Sequence, residues 1–233
     1  MNLKVQRLRA TFRRGDSVKY LAHLDLMRYW ERALRRAGVP LSYSEGHSPT
    51  PRLSLAAPLP VGVTSSCELM DVFLYRRMAL RDFLKQVNAK VVPGTEVLTV
   101  REVGLREPSL QSLVRWAEYR VEVAREGRSR QELEERVERL LALDSLPWQH
   151  LRDGQVRRYD LRALVYDLWL EEETEESFIL GMRLRTDQQT AGRAEQVTAA
   201  LGFAGPPLRI HRARLFVEET PRATRAFRRL GEM

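Results

Sequence analysis

Cysteine is nearly absent from this chain, which has only Cys67 among its 233 residues. One thiol cannot form an internal disulfide, and it cannot supply the several thiolates of a zinc cage or an iron–sulfur cluster. Cys67 lies in an alternating stretch, which favours a small residue on a strand; a nucleophile would need a partner histidine that the sequence cannot place. The composition therefore predicts a protein with no metal centre and no cofactor.

Long hydrophobic runs are absent as well. No segment approaches the roughly 20 apolar residues that a transmembrane helix requires. The first residues are basic but lack the apolar core of a signal peptide, so we expect a cytoplasmic protein without a membrane partner. The chain also contains no P-loop, no dinucleotide-binding fingerprint and no nucleophile elbow, which removes the most common sequence signals for nucleotide-dependent or hydrolytic enzymes.

Lysine is scarce, with only 4 of the 39 basic residues, and the formal net charge is +8. The excess is concentrated at one end: residues 1–107 contain 18 basic and 10 acidic residues, whereas residues 108–217 contain 17 and 18. Arginine binds phosphate through two hydrogen bonds and stacks on bases, although a GC-rich genome would produce the same bias. The charge distribution predicts that the first half of this basic protein faces a polyanion.

Hydrophobic periodicity predicts the same order of elements, βαββαβ, twice along the chain. The first set comprises a strand at 4–12, a helix at 24–37, extended segments at 41–43, 52–59 and 67–75 with a turn-rich segment at 44–51, a helix at 79–88 and a strand at 96–103. The second comprises a strand at 116–124, a helix at 130–143 capped by Ser129, extended segments at 155–170 and 177–184, a helix at 192–201 and a strand at 208–217. The acidic run 171–176 is predicted to form a turn.

This order is typical of ferredoxin-like domains, in which two helices cover one face of an antiparallel sheet. We therefore predict an α+β protein with two tandem ferredoxin-like domains, 1–107 and 114–218. Residues 219–233 form a basic C-terminal tail beyond the second domain.

The clearest single element is the helix at 24–37, which has two contrasting faces. Its apolar face must pack on a sheet, and its arginine face must meet water or a ligand. The apolar residues are Leu26, Met27, Trp30, Ala33, Leu34 and Ala37, and the arginines are Arg28, Arg32, Arg35 and Arg36. A solvated helix face is the alternative interpretation of the arginines, and the regional charge imbalance favours phosphate binding.

Three segments together resemble a known family. They are Tyr20-Leu21-Ala22-His23-Leu24-Asp25-Leu26, then Tyr43-Ser44-Glu45-Gly46-His47-Ser48-Pro49-Thr50-Pro51-Arg52-Leu53-Ser54, and Leu59-Pro60-Val61-Gly62-Val63. In this order and spacing they resemble the radical-SAM-associated (radical SAM-linked) protein family, a domain of unknown function that is fused to a radical SAM enzyme or encoded beside one. Its genes often lie near those for ribosomal proteins and a ribonuclease of the E/G type.

The resemblance implies a radical SAM enzyme as the protein partner. The radical SAM cluster needs a C-x₃-C-x₂-C motif, which one cysteine cannot make, so the chain resembles the stand-alone partner rather than the catalyst. The loop after Gly46 departs from the family, which usually has Phe-Asn-Pro-His or Arg-Pro there, whereas this chain has His47-Ser48-Pro49-Thr50-Pro51.

The sequence gives one candidate binding site and one candidate base. The loop 44–52 combines glycine, which allows close approach of a ligand, with prolines that restrict the loop before binding, and Tyr43 beside it offers a stacking surface for a base. The predicted nucleic-acid-binding residues are Lys19, Arg28, Arg32, Arg35, Arg36, Tyr43, Gly46, His47 and Arg52. His23 is a conceivable general base. His47, His150 and His211 lack metal-ligand spacing.

Three functions fit these features. The leading hypothesis is a non-catalytic RNA-binding protein that assists a radical SAM enzyme in RNA modification or a ribosome-related process. A metal-independent endoribonuclease is the second, because CRISPR RNA nucleases share a tandem ferredoxin-like layout, but their Gly-rich C-terminal loop is missing here. The third is a protein–protein adaptor that does not bind RNA.

Overall fold

The computed structural model describes residues 3–152 and 154–218, and within them the chain forms two units. The first unit comprises residues 3–61, 67–115 and 216–218, and the second comprises 62–66 and 116–215. The predicted basic tail at 219–233 lies outside the described residues. No helix in the described part of the chain combines the length and the apolar composition needed to cross a bilayer.

The first unit is a four-stranded sheet with two main helices. Its elements in chain order are β1 (Gln6–Arg14), α1 (His23–Arg36), β2 (Leu53–Leu55), β3 (Thr64–Leu74), α2 (Leu80–Asn88), β4 (Val97–Val103) and the single-turn α3 (Leu110–Leu113). The strands lie in the order β4-β1-β3-β2, with β4 antiparallel to β1 and β2 antiparallel to β3. The expected strand at 41–43 is reduced to isolated bridges from Leu41 to Leu74 and from Tyr43 to Pro51.

The core of the first unit lies between β1 and the two helices. Phe12 on β1 contacts Trp30 on α1 edge to face, with 4.7 Å between ring centroids, and Phe83 of α2 is fully buried in the same cluster. Every third or fourth residue of α1 enters this core, as the 3.6-residue period requires. The helix therefore presents its remaining face, which contains the arginines, to solvent.

The opposite face of β1 is also buried, by an unusual ionic cluster. Arg7 and Arg9 share the carboxylate of Asp71 on β3, with Nη2–Oδ2 of 2.6 Å for Arg7 and Nε–Oδ1 of 2.8 Å for Arg9. Asp71 is fully buried. Arg7 also donates to the carbonyl oxygens of Glu107 and Pro108, at 2.7 and 2.9 Å. The segment that follows β4 therefore crosses and covers this side of the sheet.

The second unit contains the remaining elements. They are β5 (Val114–Ala124), α4 (Arg130–Leu141), β6 (Pro147–Arg152), β7 (Gln155–Asp160), β8 (Val165–Glu173), β9 (Ser177–Arg185), α5 (Ala194–Ala200) and β10 (Arg209–Val217). The main strands lie in the order β10-β5-β9-β8, with β9 antiparallel to both β5 and β8. Within the second unit, His211 and Arg212 of β10 also pair in parallel with Thr64 and Ser65. The structure therefore confirms a mixed α+β fold with mostly antiparallel strands.

One expectation for the second unit was wrong, and one strand was not predicted. The acidic run is not a turn throughout, because β8 continues to Glu173 and only the residues after it turn. Arg120 binds the carboxylates of Glu171 and Glu172 at 2.9 and 2.7 Å, which compensates acidic charge along the strand. The extended segments predicted within 155–170 are β7 and β8, with a 3₁₀ turn at Arg162–Leu164 between them. Strand β6, which pairs with β7 in a separate hairpin, was not predicted.

Ser129 caps the start of α4 as predicted, and Glu132 completes a reciprocal capping arrangement. Ser129 Oγ accepts a hydrogen bond from the Glu132 amide at 3.2 Å, and a Glu132 carboxylate oxygen accepts one from the Ser129 amide at 2.8 Å. Such a capping box satisfies backbone donors that have no partner inside the helix.

Replacing Ser129 with alanine should lower the free energy of unfolding by about 1 kcal/mol, because the cap is lost while the buried face of α4 is unchanged. Urea titration followed by far-UV circular dichroism measures this loss. Ser129→Asp retains an acceptor at the cap and should remain close to the wild type. Equal stability of the alanine and aspartate variants would contradict a role for the cap.

Candidate nucleic-acid interface

The arginine face of α1 is exposed as predicted from its spacing. Leu26, Trp30, Ala33 and Leu34 are the buried residues of α1, whereas Arg28, Arg32, Arg35 and Arg36 are all exposed. Residues three and four apart on a helix are neighbours on its surface, so the four guanidinium groups follow one side of the helix over its last two to three turns. Arg35 and Arg36 also lie at the C-terminal end, where positive charge is favourable for the helix dipole.

The arginines of this face differ in their partners. Arg28 contacts Asp25 at 3.3 Å, and both side chains are largely exposed, so the pair is weak. Arg36 Nη2 donates to the Lys90 carbonyl oxygen at 3.1 Å. Lys90, in the turn after α2, therefore lies next to α1. Within the described residues, Arg32 and Arg35 have no carboxylate within the 4 Å of an ion pair. These two guanidinium groups are therefore available to a phosphate.

The charge excess of the first half overstates the positive charge at its surface. Arg7, Arg9 and Arg14 are all almost completely buried. Arg7 and Arg9 neutralise Asp71, and Arg14 donates to the carbonyl oxygens of Leu59 and Lys19 at 2.9 and 2.8 Å. Three of the basic residues that produced the sequence-based charge imbalance are thus structural. The exposed positive charge of α1 does not depend on them.

Tyr43 lies next to the arginine face. The Arg35 guanidinium carbon is 5.7 Å from the centre of the Tyr43 ring, within the range of a cation–π contact. Arg52 Nε donates to the Tyr43 carbonyl oxygen at 3.0 Å and thereby fixes the backbone of that residue. Three of the predicted site residues, Arg35, Tyr43 and Arg52, therefore form one contiguous group.

The loop that follows Tyr43 is closed at its base. The Ser44 amide donates to the Thr50 carbonyl oxygen at 2.9 Å, and the Thr50 amide donates to Ser44 Oγ at 3.0 Å. Gly46 has a φ of +112°, a conformation that other residues rarely adopt, and a Cβ there would meet no atom within 4 Å. Gly46 and His47 are both exposed. The loop is thus held at its base by hydrogen bonds between Ser44 and Thr50, and its outer residues face solvent beside Tyr43.

Two predicted residues lie elsewhere in the first unit. Lys19 Nζ contacts Asp16 at 2.9 Å and lies over the Tyr20 ring, before α1 begins. His23 is the first residue of α1 and is exposed. Since a helix rises 1.5 Å per residue, His23 is about 18 Å along the axis from Arg35. The candidate base and the Arg35–Tyr43–Arg52 group are thus at opposite ends of the helix.

Lys90 is a neighbour of this surface that sequence reasoning missed. It lies in the turn after α2 and is exposed, and its carbonyl accepts the hydrogen bond from Arg36. The sequence predicted both helices but contained no signal that their C-terminal ends meet. Only the tertiary structure adds Lys90 to the arginine face.

These features define a mixed α+β protein with an exposed arginine face on its first helix. Comparison with known families shows where it belongs: residues 7–194 match the family described as "Uncharacterized protein conserved in bacteria (DUF2344)", and the chain is a member of that family. No curated protein matched the chain.

Several solved structures resemble the fold at low sequence identity. A protein chain in a Cbf5-Nop10-Gar1 complex aligns with a TM-score of 0.50 and 9% identity, over 94% of this chain and 52% of that chain. A chain of the archaeal box H/ACA sRNP Nop10-Cbf5 complex gives a TM-score of 0.44 and 12% identity, over 94% and 50%. A chain of an H/ACA RNP bound to a substrate RNA containing 2'-deoxyuridine gives 0.46 and 10%, over 94% and 50%. The present chain spans about half the length of these chains, and the likeness concerns the fold alone.

Proposed function

We propose that this chain is a cytoplasmic, non-catalytic RNA-binding accessory protein, and that the arginine face of α1 with the adjoining Tyr43 loop contacts the RNA. The observation that supports this most directly is the group of exposed cations at the end of α1. Within the described ranges Arg32 and Arg35 have no acidic partner, and Arg35 lies 5.7 Å from the ring of Tyr43. An arginine row binds phosphates without sequence preference, and an aromatic ring beside it can stack on an unpaired base.

The arrangement of the first unit favours the helix side as the binding surface. Many nucleic-acid-binding sheets use the face that lies away from their helices, as RRM domains do. Here that face of β1 is occupied by the Arg7–Arg9–Asp71 cluster and by the segment at Glu107 and Pro108. The RNA therefore meets α1, the loop 44–50 and the exposed end of α2.

We further propose that each unit is a ferredoxin-like domain, with domains at 1–107 and 114–218. The strand orders β4-β1-β3-β2 and β10-β5-β9-β8 support this, because both place the first and third strands of a βαββαβ set in the centre. The protein partner in this proposal is a radical SAM enzyme, as the resemblance of residues 20–63 to the radical-SAM-associated family implies. The RNA-binding protein would hold the substrate while the partner performs the chemistry, and copurification of the two proteins tests this part.

Replacing Arg32 and Arg35 with glutamine should weaken binding to transfer RNA and ribosomal RNA by about tenfold and should lower the salt dependence. Each lost phosphate contact reduces the slope of log K against log salt by about 0.7 to 0.9, so the pair should reduce it by about 1.4 to 1.8. Filter binding between about 50 and 200 mM KCl measures both quantities.

The matched control is Arg130→Gln with Arg139→Gln on α4, which removes the same charge from another exposed helix. Those arginines are paired with Glu134 and Glu135 along the helix, at 2.8 and 4.0 Å. The control should bind RNA like the wild type. Equal losses in both double variants would indicate a general charge effect, and absent or salt-insensitive binding by the wild type would refute the proposed function.

A further inference from the structure

The hairpin of β6 and β7 is an addition to the βαββαβ order of the second unit. It lies in the chain between α4 and β8, and its strands pair antiparallel from Pro147 and Asp160 at the base toward the turn. Gln155, Val156, Arg157 and Arg158 are all exposed, although successive strand residues point to opposite faces. Both faces of β7 are therefore in contact with solvent over residues 155–158.

Arg157 and Arg158 of the hairpin contrast with the arginines of the second unit that form ion pairs. On the main sheet, Arg120 pairs with Glu171 and Glu172, and Arg183 pairs with Glu118. Further ion pairs among the described residues of this unit include Arg125–Glu173, Arg128–Glu126, Arg130–Glu134, Arg139–Glu135 and Arg185–Asp187. Over the described residues, Arg157 and Arg158 have no carboxylate within 4 Å. In a unit with no excess of basic residues, the hairpin is thus a place where positive charge stays uncompensated.

The base of the hairpin is held in place by Tyr159. Its hydroxyl donates to Gln196 Oε1 on α5 at 2.5 Å, and its ring contacts that of His150 edge to face at 5.5 Å. Burial raises the pKa of Tyr159, and the nearby positive charge of Arg193 opposes that rise. Arg193 therefore lies close to the base of the hairpin. The hairpin is anchored on α5 at one end and exposed at the other.

The two arginines project to opposite faces of this ribbon. Arg157 is two residues from Tyr159 and shares its face, whereas Arg158 lies on the other face. A flat binding surface would engage only one of them. A ribbon with a guanidinium on each face is complementary to a groove with two phosphate walls, because each wall can meet one cation.

We propose that the β6–β7 hairpin enters a groove of a double-stranded RNA segment and that Arg157 and Arg158 contact the phosphates of its two strands. This proposal rests on the proposed function, since it assigns a second contact to the same RNA. The hairpin would recognise a base-paired region of that RNA. Contacts of this kind read the shape and charge of the duplex rather than its sequence.

Arg157→Gln with Arg158→Gln tests this against two probes, a stable RNA stem-loop and an unpaired RNA of equal length. The double variant should lose about tenfold in affinity for the stem-loop, with a salt slope lower by about 1.8, and should change little on the unpaired RNA. Each single variant should account for about half of the slope change. Arg130→Gln with Arg139→Gln is again the control of equal charge, and thermal melting checks that the variants are folded.

The outcomes separate this proposal from the proposed function. Loss of binding in Arg32→Gln/Arg35→Gln with none in Arg157→Gln/Arg158→Gln would refute the hairpin contact and leave the α1 surface standing. The reverse result would refute the α1 surface and support the hairpin. An effect of only one hairpin arginine, or an effect confined to unpaired RNA, would overturn the groove assignment. Binding of neither probe by the wild type would overturn both proposals.

Discussion

Replacing Asp71 with alanine should lower the free energy of unfolding by about 3–5 kcal/mol. Asp71 is fully buried and its two oxygens accept hydrogen bonds from Arg7 and Arg9 at 2.6 to 3.1 Å. Both arginines are at most 4% exposed, so the variant would leave two guanidinium groups in the protein interior without a counter-charge. Such a change is costly because the buried charges can neither reach water nor lose their protons.

Urea unfolding followed by circular dichroism would measure the loss, and Asp25→Ala supplies the control. Asp25 also pairs with an arginine, Arg28, but at 3.3 Å and with both side chains more than half exposed. Its removal should cost less than about 1 kcal/mol, as is usual for surface pairs. A similar loss in the two variants would show that burial does not determine the strength of these ion pairs.

Replacing all three charged residues with apolar ones tests whether unpaired buried charge explains the loss of stability in Asp71→Ala. Buried ion pairs can often be exchanged for packed hydrophobic residues with little loss, because the desolvation cost disappears together with the attraction. Arg7→Met/Arg9→Met/Asp71→Leu should therefore be more stable than Asp71→Ala alone. We expect only partial recovery, since the carbonyl oxygens of Glu107 and Pro108 lose the donors that Arg7 provides. A triple variant less stable than Asp71→Ala would contradict this explanation.

The cluster also shows that the burial of charged residues cannot be predicted from the local sequence. Arg7 and Arg9 contribute to the positive charge counted for residues 1–107, because nothing near them in the chain marks them as buried. Their partner Asp71 is 64 and 62 residues away. Pairing over such a distance depends on which strands are neighbours, which residue types do not encode locally. The sequence therefore overestimates the positive charge at the surface of the first half. It still shows that residues 1–107 contain more basic than acidic residues, in contrast to residues 108–217.

Long elements were predicted more closely than short ones, and the reason is the length over which each pattern repeats. Helix α1 was expected at 24–37 and is found at His23–Arg36, because four turns of alternating apolar and arginine positions leave little ambiguity. Strand β6 has only six residues and begins at Pro147, so its pattern is too short to separate from a loop. The hairpin that presents Arg157 and Arg158 was missed for this reason.

The candidate site was predicted as a set of residue types, but its geometry was not. Arg35, Tyr43 and Arg52 lie within 17 residues of one another, and the structure joins them through the 5.7 Å contact between Arg35 and Tyr43 and the 3.0 Å hydrogen bond from Arg52. Lys19 and His23 were predicted in the same first half of the chain, but they lie apart from this group. Lys19 precedes α1, and His23 is the first residue of α1. The predicted length of the helix already separates His23 from Arg35, whereas the contacts of Tyr43 with Arg35 and Arg52 depend on how the chain folds back after α1.

Replacing Trp30 with alanine should lower the free energy of unfolding by about 3–5 kcal/mol, the usual range for removing a large aromatic side chain from a core. Trp30 is fully buried on the face of α1 opposite the arginines and contacts the Phe12 ring at 4.7 Å. Trp30→Phe retains an aromatic ring against Phe12 and should cost clearly less. Urea unfolding followed by far-UV circular dichroism measures both variants, and equal losses would contradict the cavity explanation.

The two faces of α1 should therefore respond to different measurements. Trp30→Ala should reduce stability and leave the affinity of the folded protein for RNA unchanged, because Trp30 contacts only the core. Arg32→Gln with Arg35→Gln should reduce affinity and leave stability within about 0.5 kcal/mol, because exposed substitutions away from packed groups have small effects. If Trp30→Ala abolished RNA binding at temperatures where the variant is fully folded, RNA binding would depend on the core as well as on the arginine face. The division of α1 into a packing face and a binding face would then be wrong.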